Sequence, residues 1–79
     1  MSSGSTRGGA ERSDADRRIL RHLSTTKADY PALIASNTGL HIPLVERRCA
    51  ALDEDGLLEL VSGEVLYRIT DVGRTAAHD

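Results

Sequence analysis

The spacing of the apolar residues changes at Gly56, and this change constrains the fold more than any other feature of the sequence. Before Gly56, apolar residues recur at the i, i+4 and i+7 spacing of one helix face, and after it they alternate as in a strand with one buried face. The helical set is Val45, Cys49 and Leu52, and the alternating set is Val65, Tyr67 and Ile69. The chain is therefore expected to combine helices with a small β-hairpin.

Similar periodic patterns and capping residues divide the rest of the chain into elements. Ser13 or Asp14 can cap a first helix, and Asp29 can cap a second, which Asn37 or Gly39 can end. The predicted elements are helices over residues 14–26, 30–36 and 43–55, strands over 57–62 and 64–70 around a glycine turn, and a last helix over 72–77. This is a mainly α fold with a small two-stranded β-hairpin, in the order helix, helix, helix, hairpin, helix.

The first thirteen residues lack the apolar side chains that a folded segment needs. They include four serines and three glycines, and no large apolar residue follows Met1. Such a segment cannot offset the conformational entropy that it would lose on ordering. We therefore predict a disordered N-terminal tail over residues 1–13 and one folded domain over residues 14–79. The core of that domain must be aliphatic, because Tyr30 and Tyr67 are the only aromatic residues.

Composition and spacing argue against an enzyme. The three histidines and the single cysteine, Cys49, lack the spacing of a metal site, and no glycine-rich phosphate loop or nucleophile with a recognisable partner is present. We predict no catalytic, metal, cofactor or small-molecule site, and we expect Cys49 to be a small core residue. A single cysteine and the lack of an apolar run of ~20 residues predict a soluble cytoplasmic protein with no membrane span.

Three segments match patterns of DNA-binding proteins. Val45 to Leu58 reads V-x-x-R-x-x-x-L-x-x-x-G-L-L, Tyr67 to Arg74 reads Y-R-I-T-D-x-G-R, and Asp16 to Leu23 reads D-x-x-I-L-x-x-L. The first resembles the recognition-helix signature of many bacterial and archaeal transcription regulators. Together the three resemble the haloarchaeal phage phiH repressor-like family. The composition agrees, since nine of the ten basic residues are arginine, a bias that is similar to that of proteins from salt-loving cells.

The resemblance implies a winged helix-turn-helix (α-α-α-β-β-α) that binds double-stranded DNA sequence-specifically and regulates transcription, most simply as a repressor. The third helix would enter the major groove, and the hairpin would form a wing beside it. A symmetric homodimer would read two half-sites, with Leu60 or Leu66 as contacts if either is exposed. The residues expected to contact DNA are Arg47, Arg48, Leu44, His41, Glu46, Thr38 and Arg68.

The two adjacent arginines of the third helix have an alternative interpretation. Arg47 and Arg48 can instead be ordinary surface residues that pair with Glu46, Asp14 or Asp16. Exposed ion pairs of that kind contribute about 0–1 kcal/mol to stability. The DNA hypothesis requires both guanidinium groups to point outward from the helix.

Other polar residues near the helix-turn-helix also have two interpretations. Asn37 and Thr38 can bind phosphate or cap the second helix, and His41 can contact DNA or lie solvated in the loop. Tyr30 can donate its hydroxyl to a phosphate or bury its ring against the first helix.

The hairpin is the feature that agrees least with DNA binding. It carries Glu59 and Glu64, and Arg68 is the one positive residue on its second strand. Acidic side chains near phosphate oppose binding, and the net charge of -2 has the same effect. The alternative function is a winged-helix module that binds a protein of the transcription machinery.

Overall fold

The computed structural model describes residues 13–78 as four helices and three short strands. In chain order these are α1 (Asp14–Thr26), β1 (Ala28–Asp29), α2 (Pro31–Thr38), α3 (Ile42–Glu54), β2 (Leu58–Leu60), β3 (Tyr67–Ile69) and α4 (Asp71–Ala77). The predicted helices are confirmed, and their ends lie within about two residues of those predicted. The predicted tail lies outside the described residues except for Ser13, and so does Asp79.

The strands form one antiparallel sheet in the order β1-β3-β2, so the prediction of a two-stranded sheet is wrong. Ala28 lies opposite Arg68, and Leu58 lies opposite Ile69. The chain reverses after α1 at Lys27, whose φ is 74°, and the Lys27 carbonyl accepts a hydrogen bond from the Ile69 amide at 2.9 Å. A strand of two residues has no alternation of its own, and the sequence pattern therefore did not indicate β1.

The hairpin, which we define as residues 58–69, has shorter strands than predicted. Its turn is closed by the Val61 amide, which donates to the Leu66 carbonyl at 2.8 Å, and by the Glu64 amide, which donates to the Val61 carbonyl at 3.1 Å. Gly63 supplies the positive φ of 81° that this turn needs. The turn therefore takes up residues that the sequence assigned to the strands.

An aliphatic core joins α1, α2, α3 and the sheet. The predicted inward residues Val45, Cys49 and Leu52 are fully buried, which confirms the helical face. Tyr67 packs against the edge of the core, whereas Tyr30 does not contribute to it. The remaining core residues are Ile19, Leu20, Leu23, Ile34, Ala35, Leu57, Leu58 and Ile69.

The ends of α2 determine how α3 leaves it. Tyr30, and not Asp29 as predicted, is the N-cap residue of α2, although an Asp29 carboxylate oxygen accepts a hydrogen bond from the Tyr30 amide at 2.9 Å. Gly39 ends α2 in the left-handed conformation, with φ 77°, as predicted. Only residues 39–41 separate α2 from α3. This short turn fixes the two helices as a unit.

α4 closes the fold against the start of the sheet. The Thr70 hydroxyl caps α4 by accepting a hydrogen bond from the Gly73 amide at 3.0 Å. A Cβ atom at Gly73 would lie 2.1 Å from the Leu57 carbonyl oxygen. Since no side chain fits there, glycine is required where α4 meets this backbone.

Candidate nucleic-acid interface

α3 has one face in the core and one face in solvent. It begins after His41, an N-cap whose side chain makes no capping hydrogen bond, and Pro43 occupies its first turn. The outward face therefore starts at the end of α3 that follows the turn from α2. The exposed residues of this surface are His41, Ile42, Pro43, Glu46, Arg47 and Ala50.

Arg47 lies on the outward face as predicted. Its side chain is exposed, and within residues 13–78 it has no ion-pair or hydrogen-bond partner. A guanidinium group in this position is free to bind a phosphate or the edge of a base. Arg47 is therefore available for the role that the sequence assigned to it, and its contact with DNA stays a prediction.

Arg48 points to α1 instead of outward. Its Nε and Nη2 atoms donate to the two carboxylate oxygens of Asp16 at 2.7 and 2.9 Å. The Asp16 side chain is only 3% exposed and that of Arg48 is 35% exposed. The hydrogen bond from Arg48 to Asp16 raises the pKa of Arg48, against the opposing effect of burial. The expectation that both arginines face outward is therefore wrong, and a DNA contact by Arg48 would leave a buried carboxylate unpaired. The DNA hypothesis fails in the form that requires both arginines, and Arg47 is the one of the two that remains available for it.

The remaining predicted residues of the helix-turn-helix differ in availability. His41 and Glu46 are exposed, whereas Leu44 is half-buried. The Thr38 hydroxyl donates to the Ile34 carbonyl at 2.6 Å within α2. His41 and Glu46 can reach a ligand on α3, while the Thr38 hydroxyl is already used inside its own helix.

Asn37 is engaged in the same way as Thr38. Its Nδ2 donates to the Leu33 carbonyl at 2.8 Å. The carbonyl of Thr38 accepts a hydrogen bond from Arg18 at 3.2 Å, and Arg18 also pairs with Asp14 at 2.9 Å. These bonds agree with the capping interpretation of residues 37 and 38.

The charged side chains of the hairpin have partners within the protein. Arg68 pairs with Glu59, with Nε 2.7 Å from a carboxylate oxygen and a second contact from Nη2. The Tyr30 hydroxyl donates to Glu64 at 3.0 Å, and this hydrogen bond is the main reason that the pKa of Tyr30 is raised. Tyr30 is 44% exposed, so the interpretation in which its ring is buried against α1 is wrong. The hairpin therefore offers no unpaired cation of its own.

The exposed surface around the start of α3 includes several apolar side chains. Leu33 of α2 is 50% exposed, and Ile42 of α3 is 44% exposed. A shallow groove runs between α2 and the start of α3, lined by Ala32, Ala35, Ser36, Leu40, His41, Ile42 and Pro43. This surface presents aliphatic groups next to the one free guanidinium of α3.

The candidate contacts for a homodimer lie on the hairpin. Leu60 is 48% exposed on β2, which is an edge strand of the sheet, whereas Leu66 is partly buried. Leu60 is the one of the two that a second copy of the chain can reach. The homodimer itself stays a prediction.

Of two contacts that support these elements, the sequence indicated the first only as one of several alternatives for the arginines and did not indicate the second. Asp16 orients Arg48, and Asp29 joins β1 to α1 through His22, whose Nε2 lies 2.9 Å from a carboxylate oxygen. The sequence did hold one indication that Asp16 needs a partner. Asp16 occupies the same i, i+3, i+4 and i+7 stripe as three core residues of α1, and a carboxylate on an apolar stripe requires a partner.

Cys49 lies in the core, as predicted. Burial raises the pKa of the Cys49 thiol to about 12, so the group is a neutral core side chain at ordinary pH. Within residues 13–78 there is no group of three or more histidine, cysteine, aspartate or glutamate residues that could hold a metal ion. None of the helices in that range has the length and apolar character needed to cross a membrane.

Comparison with known proteins gives a family but no function. A search of curated proteins finds no match to this chain. A family model does match it, over residues 10–75, and its description names no activity and no phage repressor. Since the matched residues make up most of the sequence, the chain belongs to the family described as an uncharacterized protein conserved in archaea (DUF2250).

Proposed function

We propose that this protein is a winged helix-turn-helix regulator of transcription, most simply a repressor, that inserts α3 into the major groove of double-stranded DNA. The observation that carries the proposal is the pairing of α2 with α3 across residues 39–41. Helix-turn-helix motifs join two helices by a turn of about three or four residues that often contains glycine, and the second helix reads the groove. The order of the elements and the strand order β1-β3-β2 fit the winged form of this motif.

The shape and exposure of α3 support this role. Thirteen residues make a helix about 20 Å long, and the major groove, about 12 Å wide, admits one α-helix. In helix-turn-helix proteins the base contacts come from the first turns of the second helix. In α3 these turns carry the exposed residues Ile42, Pro43, Glu46 and Arg47.

Arg47 is the residue that we assign to direct recognition. An arginine can donate two hydrogen bonds to the O6 and N7 atoms of guanine, the commonest specific contact in the major groove. Glu46 can accept a hydrogen bond from the N4 atom of cytosine. The outward face thus has one cation and one anion, and its affinity must come from base contacts more than from phosphate neutralisation.

The charge distribution predicts a shallow dependence on salt. The logarithm of the affinity falls with the logarithm of salt concentration by about 0.9 for each phosphate neutralised. With Arg48 bound to Asp16 and Arg68 bound to Glu59, few side chains near α3 can neutralise phosphates. A protein of this kind keeps much of its affinity in a cytoplasm of high salt.

The proposal is tested by selecting bound fragments from random duplex DNA, at both low and multimolar KCl. We expect a defined sequence to be enriched, and repeats of it about one helical turn apart would indicate a homodimer. Arg47→Ala should weaken binding to the enriched duplex by roughly 5- to 150-fold, because a bidentate base contact contributes about 1–3 kcal/mol. Its thermal midpoint should stay unchanged.

The matched control is Arg74→Ala, which removes an exposed arginine of α4 that lies 3.8 Å from Asp71. This variant should bind the enriched duplex like the parent. Equal losses in both variants would show that overall charge, and not the position of Arg47, determines affinity. Failure to enrich any sequence would refute DNA recognition.

A second candidate function is binding to a protein of the transcription machinery. The exposed aliphatic residues Leu33 and Ile42 and the acidic hairpin turn with Glu64 favour it. This function predicts that no duplex is retained in the selection at any salt concentration. The free guanidinium on α3 makes DNA the better supported partner.

A further inference from the structure

We propose that Ile42 contacts the 5-methyl group of a thymine in the major groove, so that the half-site read by α3 contains a thymine as well as the base read by Arg47. This inference rests on the proposed function and specifies its ligand. It concerns the one large aliphatic side chain on the outward surface of α3.

The position of Ile42 is unusual for a side chain of its kind. It is the first residue of α3 and is 44% exposed, while the other large aliphatic residues of this helix are buried or half-buried. Leu44, the nearest of them, is half-buried. Ile42 is therefore the aliphatic group that a ligand of α3 meets first.

The polar side chains around Ile42 leave few alternatives for recognition. Thr38 and Asn37 donate hydrogen bonds within α2, and Arg48 is held by Asp16. Apart from Arg47, the described residues at the start of α3 offer no free cation for a phosphate. This sparse set of phosphate-binding groups favours recognition through the edges of the bases.

Only one group on those edges suits an aliphatic partner. Guanine, cytosine and adenine present hydrogen-bond donors and acceptors in the major groove, whereas thymine also presents a methyl group. Burying a donor or acceptor against isoleucine without a hydrogen bond costs free energy. Burying the thymine methyl against it removes apolar surface from water, which is favourable. The chemistry of Ile42 therefore selects thymine.

The test compares enriched duplexes that contain either thymidine or deoxyuridine. The two nucleotides pair identically and differ only by the 5-methyl group, so the comparison isolates that contact. We expect the parent protein to bind the deoxyuridine duplex about fourfold more weakly, the factor that corresponds to the ~0.8 kcal/mol gained by burying one methyl-sized group. Substituting single thymines one at a time identifies the contacted position.

Variants assign the contact to its residue. Ile42→Ala should bind both duplexes equally, and Ile42→Val, which keeps the branched carbon, should retain part of the preference for thymidine. The control is Leu33→Ala, which removes an aliphatic side chain of similar size and exposure from α2 and should keep the full preference. Melting curves establish that each variant is folded before its binding is compared.

The outcomes separate this inference from the proposed function. Equal binding of the parent to thymidine and deoxyuridine duplexes overturns the thymine contact and leaves DNA recognition in place. A preference for thymidine that persists in Ile42→Ala moves the contact to another residue and overturns the assignment. Retention of no duplex at all overturns the proposed function, and this inference with it.

Discussion

The α1–α3 interface and the hairpin are each joined by an arginine–carboxylate pair, and the two pairs differ mainly in their exposure. Asp16 and Arg48 are 3% and 35% exposed, whereas Glu59 and Arg68 are 47% and 58% exposed. A buried carboxylate has lost its hydration and depends on its partner to compensate for that loss. The groups of an exposed pair remain hydrated whether or not they are paired, so the pair contributes little. The same chemistry therefore fixes a helix in one region and contributes little in the other.

This difference explains how α3 can be held firmly while its outward face stays sparsely charged. Its inner face is fixed by aliphatic residues with no solvent exposure and by the pair with Asp16. The hairpin has only three paired residues in each of β2 and β3, and exposed side chains at Leu60 and Val65. We expect substitutions in the first region to cost much more stability than those in the second.

The largest expected effect comes from shortening the same residue type in both regions. Leu52→Ala should lower the free energy of unfolding by ~2–5 kcal/mol, because Leu52 is fully buried and its truncation leaves a cavity. Leu60→Ala, at a residue that is 48% exposed, should cost less than half as much. Denaturant melts of the two variants give both values. Comparable losses would show that the hairpin is as firmly packed as the core.

The next comparison breaks the two ion pairs. Arg48→Ala should cost roughly 3 kcal/mol, the lower end of the range for breaking a buried pair, since the edge of this guanidinium reaches solvent. Arg68→Ala should cost about 0–1 kcal/mol, as is usual for exposed pairs. In a domain of this size the first change lowers the thermal midpoint by at least ~10 °C. A small shift for Arg48→Ala would indicate that Asp16 finds another partner.

An alkaline titration examines the core without changing a charge pair. The Cys49 thiol has a pKa of about 12 in the folded protein and about 9.0 when unfolded, so only the unfolded chain loses this proton between those values. The contribution of the protonated thiol to the free energy of unfolding is therefore fully present below pH 9. That free energy should fall by about 1.4 kcal/mol per pH unit as the pH rises toward 12. The raised pKa values of Tyr30 and Tyr67 act in the same direction above pH 10.

A cysteine variant separates these contributions. Cys49→Ala should start from a lower stability but lose less of it per pH unit between pH 9 and 10 than the parent. The measurement is the thermal midpoint of both proteins at a series of pH values. Parallel curves would mean that the thiol ionises as readily in the folded protein as in the unfolded one.

The smallest expected effect on stability belongs to the hairpin turn. Glu64→Gln should leave the melt nearly unchanged, because the carboxylate is exposed, and should bring the pKa of Tyr30 back toward its ordinary value. If the hairpin lies near phosphates, loss of this charge should strengthen duplex binding by about twofold at low salt and less at high salt. Glu54→Gln, an exposed change at the end of α3, is the control for net charge.

The Tyr30 titration and the duplex-binding measurement on Glu64→Gln can each contradict these expectations. An unchanged absorbance titration of Tyr30 would show that the hydrogen bond to Glu64 is not formed in solution. Equal gains in duplex affinity for Glu64→Gln and Glu54→Gln would place the hairpin away from the DNA.

The helices could be predicted from the sequence because their signals are local. Residues such as Ser13, Gly39 and Thr70 act on the turn in which they occur, and the apolar period of α3 spans only a few turns. β1 could not be predicted, because its two residues are a strand only through their pairing with β3. The length of the hairpin turn could not be predicted either. It is set by backbone hydrogen bonds between Val61, Glu64 and Leu66, and the sequence indicated only the position of Gly63.

Half of the candidate site depended on contacts between distant parts of the chain. The outward position of Arg47 followed from the helical period, but the partner of Arg48 lies 32 residues away in sequence, on another helix. The bond from Tyr30 to Glu64 spans 34 residues. Among several acidic residues, the sequence alone could name Asp16 as one candidate partner and could not select it.

The opposite orientation of two neighbouring arginines has a consequence for how proteins of this family diversify. Residues 16 and 48 are tied to each other and should change only together, in any relative that keeps this architecture. Residues 42, 46 and 47 can change independently of one another, because their side chains are exposed. A gene duplicate could therefore vary those three positions without first having to repair a weakened scaffold.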